Sequence, residues 1–84
     1  MKIVFKLFAS LADYLPSERA GSNRVELEID EETTVGDLIR RYRIPERNAH
    51  LVLINGLFVP QGERNQRRLA EGDELAIWPP IAGG

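Results

Sequence analysis

The chain has 84 residues, a net charge of −2 at pH 7 and no cysteine. This length allows one domain with one core, burying roughly 60–65% of the unfolded surface, and the missing cysteine excludes disulfides, thiol nucleophiles and thiolate metal ligands. The chain is acidic, has no signal peptide and has no apolar run near the roughly 18 residues that span a membrane. It is therefore expected to be cytoplasmic, with no nucleic acid or membrane partner.

The first part of the chain predicts two strands separated by a loop. Residues 2–8 alternate, so that one strand face is formed by Ile3, Phe5 and Leu7. Residues 9–23 contain proline, glycine and serine and predict a loop, with a short helical turn at residues 11–15. Residues 24–30 alternate strictly and predict a half-buried antiparallel strand whose inward side chains are Val25, Leu27 and Ile29.

Residues 34–44 predict the main helix. Thr34 and Asp37 have the spacing of a capping box at its start, and Pro45 ends it. One apolar stripe with i, i+3, i+4, i+7 spacing packs on the sheet and consists of Val35, Leu38, Ile39 and Tyr42. The arginines at residues 40, 41 and 43 suit the negative end of the helix dipole, and the acidic total disfavours a nucleic acid patch there.

The last part predicts a hairpin and a final strand. Residues 50–54 form a continuous apolar strand, and Asn55-Gly56 is a strong signal for a tight turn that returns through residues 57–60. Residues 61–68 are polar and irregular, and residues 74–78 form a strand with Leu75 and Ile77 inward. Because the helix supplies the crossover that parallel pairing needs, we expect the two terminal strands to be neighbours in the sheet centre.

Few residues offer catalytic chemistry. His50 has no nucleophile or carboxylate at catalytic spacing and is interpreted as a surface or partly buried histidine. The glycines are isolated and match no phosphate-binding loop. The carboxylates within residues 26–32 alternate along a strand and lead into a turn, which is typical of solvent-facing charge and not of an acid–base pair or a metal cage.

The final residues have the composition of an arm that enters another protein. Pro79 and Pro80 fix φ and lack N–H donors, so they predict a stiff spacer after the last strand. Gly83 and Gly84 have no Cβ and fit a slot too narrow for other residues. A frayed terminus is the alternative, although it requires neither the prolines nor the glycines.

The strand alternation also predicts an apolar patch on the sheet face opposite the helix, formed by Val4, Phe8, Ala76 and Trp78. One helix covers only one face of a sheet, and an exposed apolar patch beside the arm would be a docking surface. The alternative is that Phe8 and Trp78 fold under the loop of residues 9–23. The sequence leaves both interpretations open.

Several motifs together resemble the ubiquitin-like sulfur carriers of the MoaD/ThiS family. They are Phe8-Ala9-Ser10-Leu11, Thr34-Val35-Gly36-Asp37-Leu38, Asn55-Gly56, Leu69-Ala70-Glu71-Gly72-Asp73-Glu74 and the Pro79-Pro80-Ile81-Ala82-Gly83-Gly84 end. The resemblance covers essentially the whole chain. The Gly-Asp-Glu lead-in followed by Pro-Pro-x-x-Gly-Gly is its specific part, and the proline pair is similar to the branch that forms the small subunit of molybdopterin synthase.

The resemblance implies an α+β, ubiquitin-like β-grasp fold, with a mixed sheet of about five strands packed on one main helix. Residues 1–78 would form the domain and residues 79–84 a flexible tail. The chain would not be an enzyme by itself and would bind no cofactor or metal, and its chemistry would occur at the Gly84 carboxylate. The residues that thread into a partner would be Pro79, Pro80, Ile81, Ala82 and Gly83.

The resemblance also implies the partners. An E1-like adenylating enzyme of the MoeB/ThiF type would use ATP and Mg²⁺ to adenylate Gly84, and sulfur from a persulfide enzyme would replace AMP to give a thiocarboxylate. In the molybdopterin branch, the large subunit of molybdopterin synthase would receive this sulfur for the dithiolene that binds molybdenum or tungsten. The alternatives are a sulfur carrier for the thiamine thiazole, and a ubiquitin-like modifier joined to lysines of target proteins.

Overall fold

The computed structural model describes residues 1–15 and 23–80. Within them, five strands form one sheet that packs against one α-helix, α1, at Val35–Arg41. The strands are β1 Lys2–Leu7, β2 Arg24–Glu28, β3 Leu51–Ile54, β4 Leu57–Phe58 and β5 Glu74–Trp78. Short 3-10 helices lie at Ala9–Tyr14, Glu46–Asn48 and Gln61–Glu63.

The sheet has the order β2-β1-β5-β3-β4. β1 and β5 are parallel, and the other neighbouring pairs are antiparallel. Phe5 on β1 is paired with Leu75 on β5 and with Val25 on β2. The two terminal strands are therefore central neighbours, which confirms the predicted topology.

The core lies between α1 and one face of the sheet. The side chains of Phe5, Leu75 and Ile77 are fully buried there, and Val35 and Leu38 of α1 are equally inaccessible. Burying a large apolar side chain completely stabilises the fold by roughly 1.5–3 kcal/mol. The inward faces predicted from alternation and from helical spacing are confirmed.

The strand boundaries differ from the predicted ones by at most two residues. The prediction that Pro45 ends the helix is wrong, because α1 ends at Arg41 and Arg43 already has a φ of 60°. β2 is assigned to Arg24–Glu28, although Ile29 still exchanges two hydrogen bonds with Met1. The turn begins at Asp30, whose carboxylate accepts a hydrogen bond from the N–H of Glu32. The predicted helical turn after β1 is the 3-10 helix at Ala9–Tyr14. Residues 61–68, predicted to be irregular, contain a 3-10 helix and a bridge between Thr34 and Arg68. Residues 16–22 of the predicted loop lie outside the described residues.

The predicted capping box is present at the start of α1. The Thr34 hydroxyl accepts a hydrogen bond from the Asp37 N–H at 3.1 Å, and the Asp37 carboxylate accepts one from the Thr34 N–H at 3.0 Å. The Arg40 guanidinium donates to the same carboxylate at 2.8 Å. The hydrogen bond from the Thr34 backbone and the contact with Arg40 hold the pKa of Asp37 below its ordinary value of 3.8.

The predicted hairpin turn is also present and is tied to β5. Asn55 and Gly56 have φ angles of 52° and 83°, which is the pair of positive values that a type I′ turn requires. The Asn55 amide donates to the Asp73 carboxylate at 2.9 Å and accepts from the Glu74 N–H at 2.9 Å. The start of β5 is therefore fixed by the turn between β3 and β4.

We expect the Asp37→Asn variant to be less stable than the native chain at neutral pH and to lose less stability in acid. The pKa of Asp37 is lower in the folded chain than in the unfolded chain, so its contribution is complete above the unfolded value. The contribution is then lost as the pH falls from about 3.8 through the folded value. Urea unfolding across this range measures the effect.

The control is Glu32→Gln, which removes an exposed carboxylate outside the capping box. If Asp37→Asn lost stability in acid as steeply as the native chain does, another group would be responsible.

Candidate functional site

The C-terminal arm leaves the sheet at a fixed point. The Trp78 carbonyl accepts a hydrogen bond from the His50 N–H at 3.0 Å, and the Ile77 carbonyl accepts one from the Phe8 N–H at 3.1 Å. The last two residues of β5 are thus hydrogen-bonded to the chain on both sides, next to the end of β1 and to the start of β3. Pro79 is half-buried and Pro80 is exposed, and neither has the N–H that would continue the ladder. The root of the arm therefore lies between the end of β1 and the start of β3.

Four predicted tail residues, Ile81, Ala82, Gly83 and Gly84, lie outside the described residues. Their predicted threading and the predicted chemistry of the Gly84 carboxylate stay predictions.

The four residues predicted for docking all lie on the sheet face opposite α1. The register places Ala76 between Lys6 on β1 and Leu53 on β3, and Val4 beside Glu74. Val4, Phe8 and Trp78 are half-buried. Ala76 is only 6% exposed, because its methyl group is shorter than the side chains on either side. The predicted face is confirmed, whereas the expectation that Ala76 is exposed is wrong.

Phe8 and Trp78 stack on each other beside the root of the arm. Their ring centroids are 4.0 Å apart and their planes differ by 2°. The predicted alternative placed both rings under the loop of residues 9–23, of which 16–22 lie outside the described residues. In the described part of the chain, each ring covers one face of the other and both keep some exposure.

Three further apolar residues, which were not predicted from the sequence, extend this face. Leu51 is paired with Trp78, Leu53 with Ala76, and Phe58 with Leu53, so all three share the face. Phe58 is 60% exposed and Leu51 36%. The sequence does indicate this face, because the two-residue Asn55-Gly56 turn fixes which residues of β3 and β4 are paired. We call the seven residues together the open-face patch: Val4, Phe8, Ala76, Trp78, Leu51, Leu53 and Phe58.

Charged side chains lie within and beside the open-face patch. Lys6 on β1 forms an ion pair with Glu74 on β5, with a nitrogen–oxygen distance of 3.3 Å. Across β1, the register puts Glu26 beside Val4 and Arg24 beside Lys6 on the same face. Val4 is therefore flanked by charged side chains, whereas Phe8, Trp78, Leu51, Leu53 and Phe58 form the more continuous apolar part of the patch.

His50 acts through its backbone. The prediction allowed a surface or a partly buried position, and the side chain is exposed. The His50 N–H donates to the Trp78 carbonyl. Its carbonyl accepts a hydrogen bond from Nη2 of Arg64 at 3.2 Å. In residues 1–15 and 23–80, no three His, Cys, Asp or Glu side chains form a group that could hold a metal ion. None of the helices there has the length and apolarity that crossing a membrane requires.

This arrangement of fold and arm matches a known family. The model of the ThiS family matches residues 6–84. The chain belongs to the ThiS family. A curated relative of this ThiS-family chain is small archaeal modifier protein 1 of Haloferax volcanii, which is 36% identical over 94 aligned positions, covering 95% of this chain and 98% of the relative.

Solved structures confirm the fold of this ThiS-family chain. The crystal structure of SAMP1 from Haloferax volcanii is 34% identical over all of both chains, with a TM-score of 0.65. The solution structure of the HVO 2177 protein of the same organism is 25% identical, with a TM-score of 0.72, over all of this chain and 87% of that one. Subunits 1 and 2 of the molybdopterin-converting factor from Helicobacter pylori 26695 were solved as a complex. The matching chain is 13% identical over all of both chains, with a TM-score of 0.61, and shows the fold alone.

These likenesses confirm the ubiquitin-like β-grasp fold and the resemblance to the MoaD/ThiS carriers. Relatives of this kind are small carrier or modifier proteins. The ThiS-family chain is therefore a carrier or modifier and not an enzyme by itself.

A double-mutant cycle tests the Phe8–Trp78 stack. We expect Phe8→Ala and Trp78→Ala together to cost less stability than the sum of the single substitutions. The difference should be about 0.5–1.5 kcal/mol, the value typical of an aromatic pair. Urea unfolding of the four proteins measures it.

The control cycle combines Phe8→Ala with Leu57→Ala, because β1 and β4 are separated by two other strands. This pair should be additive. A coupling between Phe8 and Trp78 no larger than that of the control pair would contradict the stack.

Proposed function

We propose that this chain is a sulfur carrier whose Gly84 carboxylate is adenylated by an E1-like enzyme and converted to a thiocarboxylate for molybdopterin synthesis. The observation that supports this most is the root of the arm. A central strand, bonded on both sides, ends at Trp78 beside an apolar face and is followed at once by Pro79 and Pro80. Such a root would leave the end of β5 beside the face on which a partner docks.

Adenylation explains why the chain needs partners. A carboxylate resists attack by a nucleophile because it is negatively charged and oxide is a poor leaving group. When the carboxylate oxygen attacks the α-phosphorus of ATP, pyrophosphate leaves and AMP becomes a good leaving group on the acyl carbon. The persulfide of a donor enzyme then attacks the acyl carbon, so that AMP leaves and an acyl disulfide forms. A thiol next cleaves the sulfur–sulfur bond, which releases the terminal thiocarboxylate and leaves the thiol in a disulfide. ATP, Mg²⁺ and the catalytic groups belong to the activating enzyme.

The open-face patch is the proposed docking surface for the activating enzyme and for the acceptor, the large subunit of molybdopterin synthase. Phe58 and Leu51 are its most exposed members, and the charged side chains of Lys6 and Glu74 within it would set the orientation of a partner. The Helicobacter pylori protein with the same fold was solved in a protein–protein complex of two subunits. The choice of the molybdopterin pathway rests on the Pro79-Pro80 pair.

A ubiquitin-like modifier is a second candidate of equal standing. The relative that is 36% identical is named small archaeal modifier protein 1. Both roles begin with adenylation of Gly84, but a modifier ends in an isopeptide bond with a lysine of a target protein. Adducts that survive boiling and reducing agent favour the modifier, and a pterin synthase partner favours the carrier. Copurification with a thiazole synthase would instead indicate the thiamine branch.

We expect the chain, produced together with an activating enzyme and a persulfide donor, to gain the mass that corresponds to exchange of one oxygen for sulfur. Deleting Gly84 should abolish the gain, because the glycine carboxylate is the proposed acceptor. Intact-mass analysis measures the product.

The matched control is Leu57→Ser, an exposed position outside the tail and the open-face patch. It should leave the mass gain unchanged. A truncated chain that still acquires sulfur would overturn the mechanism.

Replacing Phe58 with Asp should raise the KM of the activating enzyme for this carrier roughly ten-fold or more, since one central apolar contact of an interface is typically worth that much. ATP–pyrophosphate exchange measures the KM. Leu57→Asp is the control, because Leu57 is 69% exposed on the same hairpin but is paired with Ile54, on the helix side of the sheet. Equal effects of the two variants would exclude the open-face patch as the docking surface.

A further inference from the structure

Arg64 is a buried arginine whose charge has no ion-pair partner in the described residues. It is 5% exposed, although it lies in the polar loop after β4. Within residues 1–15 and 23–80, its side chain forms no ion pair with a carboxylate, and its Nε and Nη1 have no hydrogen-bond partner. Burial lowers the pKa of the guanidinium below its ordinary value, because removal from water disfavours the charged form. An unpaired buried charge costs stability, so the burial of Arg64 requires an explanation.

One nitrogen of this guanidinium reaches the root of the arm. Nη2 donates a hydrogen bond to the His50 carbonyl at 3.2 Å. The N–H of the same residue donates to the Trp78 carbonyl at 3.0 Å. Trp78 is the last residue of β5 and is paired with Leu51, which follows His50 in the chain. Arg64 is therefore bonded to the residue that closes the last pair of the β3–β5 ladder.

The helix holds Arg64 in this position. The Gly36 N–H donates to the Arg64 carbonyl at 2.9 Å, and the Val35 N–H donates to the Arg67 carbonyl at 3.0 Å. A Cβ on residue 36 would collide with the Asn65 side chain, so the glycine allows the loop to approach α1 this closely. The donor that reaches His50 is therefore supported from α1 and does not depend on the end of β5.

The end of β5 is the place where such support has an effect. The last pair of a ladder opens more easily than the pairs before it, since the chain beyond it adds no further bond. Here Pro79 and Pro80 follow, and both lack the N–H that would extend the ladder. Opening would separate Trp78 from Leu51, which are both members of the open-face patch. The closed root is thus the state in which the patch is continuous beside the arm.

We propose that Arg64 is a positioning residue, which keeps the root of the arm closed through its hydrogen bond to His50. This inference rests on the proposed function, in which the activating enzyme docks on the open-face patch and adenylates Gly84. The guanidinium acts through His50, because its Nε and Nη1 are buried out of reach of a partner. The unpaired charge costs stability, and the hydrogen bond from Nη2 fixes the starting point of the arm.

Arg64→Met separates this local role from general stabilisation. Methionine fills a similar volume but removes both the buried charge and the donor to His50. Relief of the unpaired charge should offset the lost hydrogen bond, so the urea midpoint should equal or exceed that of the native chain. Protection of the His50 amide from hydrogen exchange should nevertheless fall roughly two- to ten-fold, the effect of losing one hydrogen bond.

Hydrogen exchange of the isotope-labelled full chain, followed by NMR, measures this protection. The amides of Phe5 and Leu75, which are paired in the centre of the sheet, report global unfolding. Arg64→Lys keeps a donor on a side chain of similar length and should restore most of the protection at His50. Arg67→Met removes an exposed arginine from the same loop and should leave the His50 amide unchanged.

The KM of the activating enzyme for this chain gives a second readout. If only a closed root is competent to dock, the KM rises in inverse proportion to the closed fraction. Arg64→Met should therefore raise the KM roughly two- to five-fold and leave kcat unchanged, whereas Arg64→Lys should stay near the native KM. ATP–pyrophosphate exchange measures both constants. A role limited to stability would not raise the KM of a chain that remains folded.

Native protection of the His50 amide in Arg64→Met would overturn the proposal. So would an equal loss of protection at Phe5 and Leu75, or failure of this variant to fold, because Arg64 would then be a general stabiliser. A root that opens while the KM stays at its native value would contradict the positioning role. If the native chain supports no ATP–pyrophosphate exchange, the proposed function fails, and the His50 amide still decides whether Arg64 closes the root.

Discussion

The parallel pairing of β1 with β5 is the constraint on which the rest of the fold depends. Both strands are buried against α1, and β5 is bonded to β1 on one edge and to β3 on the other. Since β5 is the last strand, its place in the sheet decides where the chain end emerges. The arm consequently starts between Phe8 and Leu51 and not from a sheet edge. A terminal segment with this origin has an apolar platform on both sides of its root.

A single helix gives the molecule two different faces. On the covered face, α1 and the loop after β4 enclose the core. On the other face, apolar side chains remain accessible on β1, β5, β3 and β4, with the Lys6–Glu74 ion pair among them. The separation leaves the second face free for a partner while the first holds the fold together.

Local patterns in the sequence predicted the strands, the capping box and the Asn55-Gly56 turn, because each depends on residues that are close in the chain. The resemblance to the sulfur carriers predicted the fold. The burial of Ala76 was not predictable from alternation, since it depends on the neighbours that β1 and β3 supply. The face of β3 was missed because its continuous apolar run hides the period of two. The burial of Arg64 was not predicted, because Arg64 lies in a polar stretch that is typical of a solvated loop and its contacts with Gly36 and His50 are distant in the chain.

The anchoring of β5 at both ends has a mechanical consequence. The Asn55 side chain secures the strand where it begins, and the His50 amide secures it where it ends. A pull along the axis of β5, applied through the arm, loads its two ladders in shear, so that their hydrogen bonds resist together and do not break one after another. The domain should therefore resist unfolding when force is applied through its C-terminal arm.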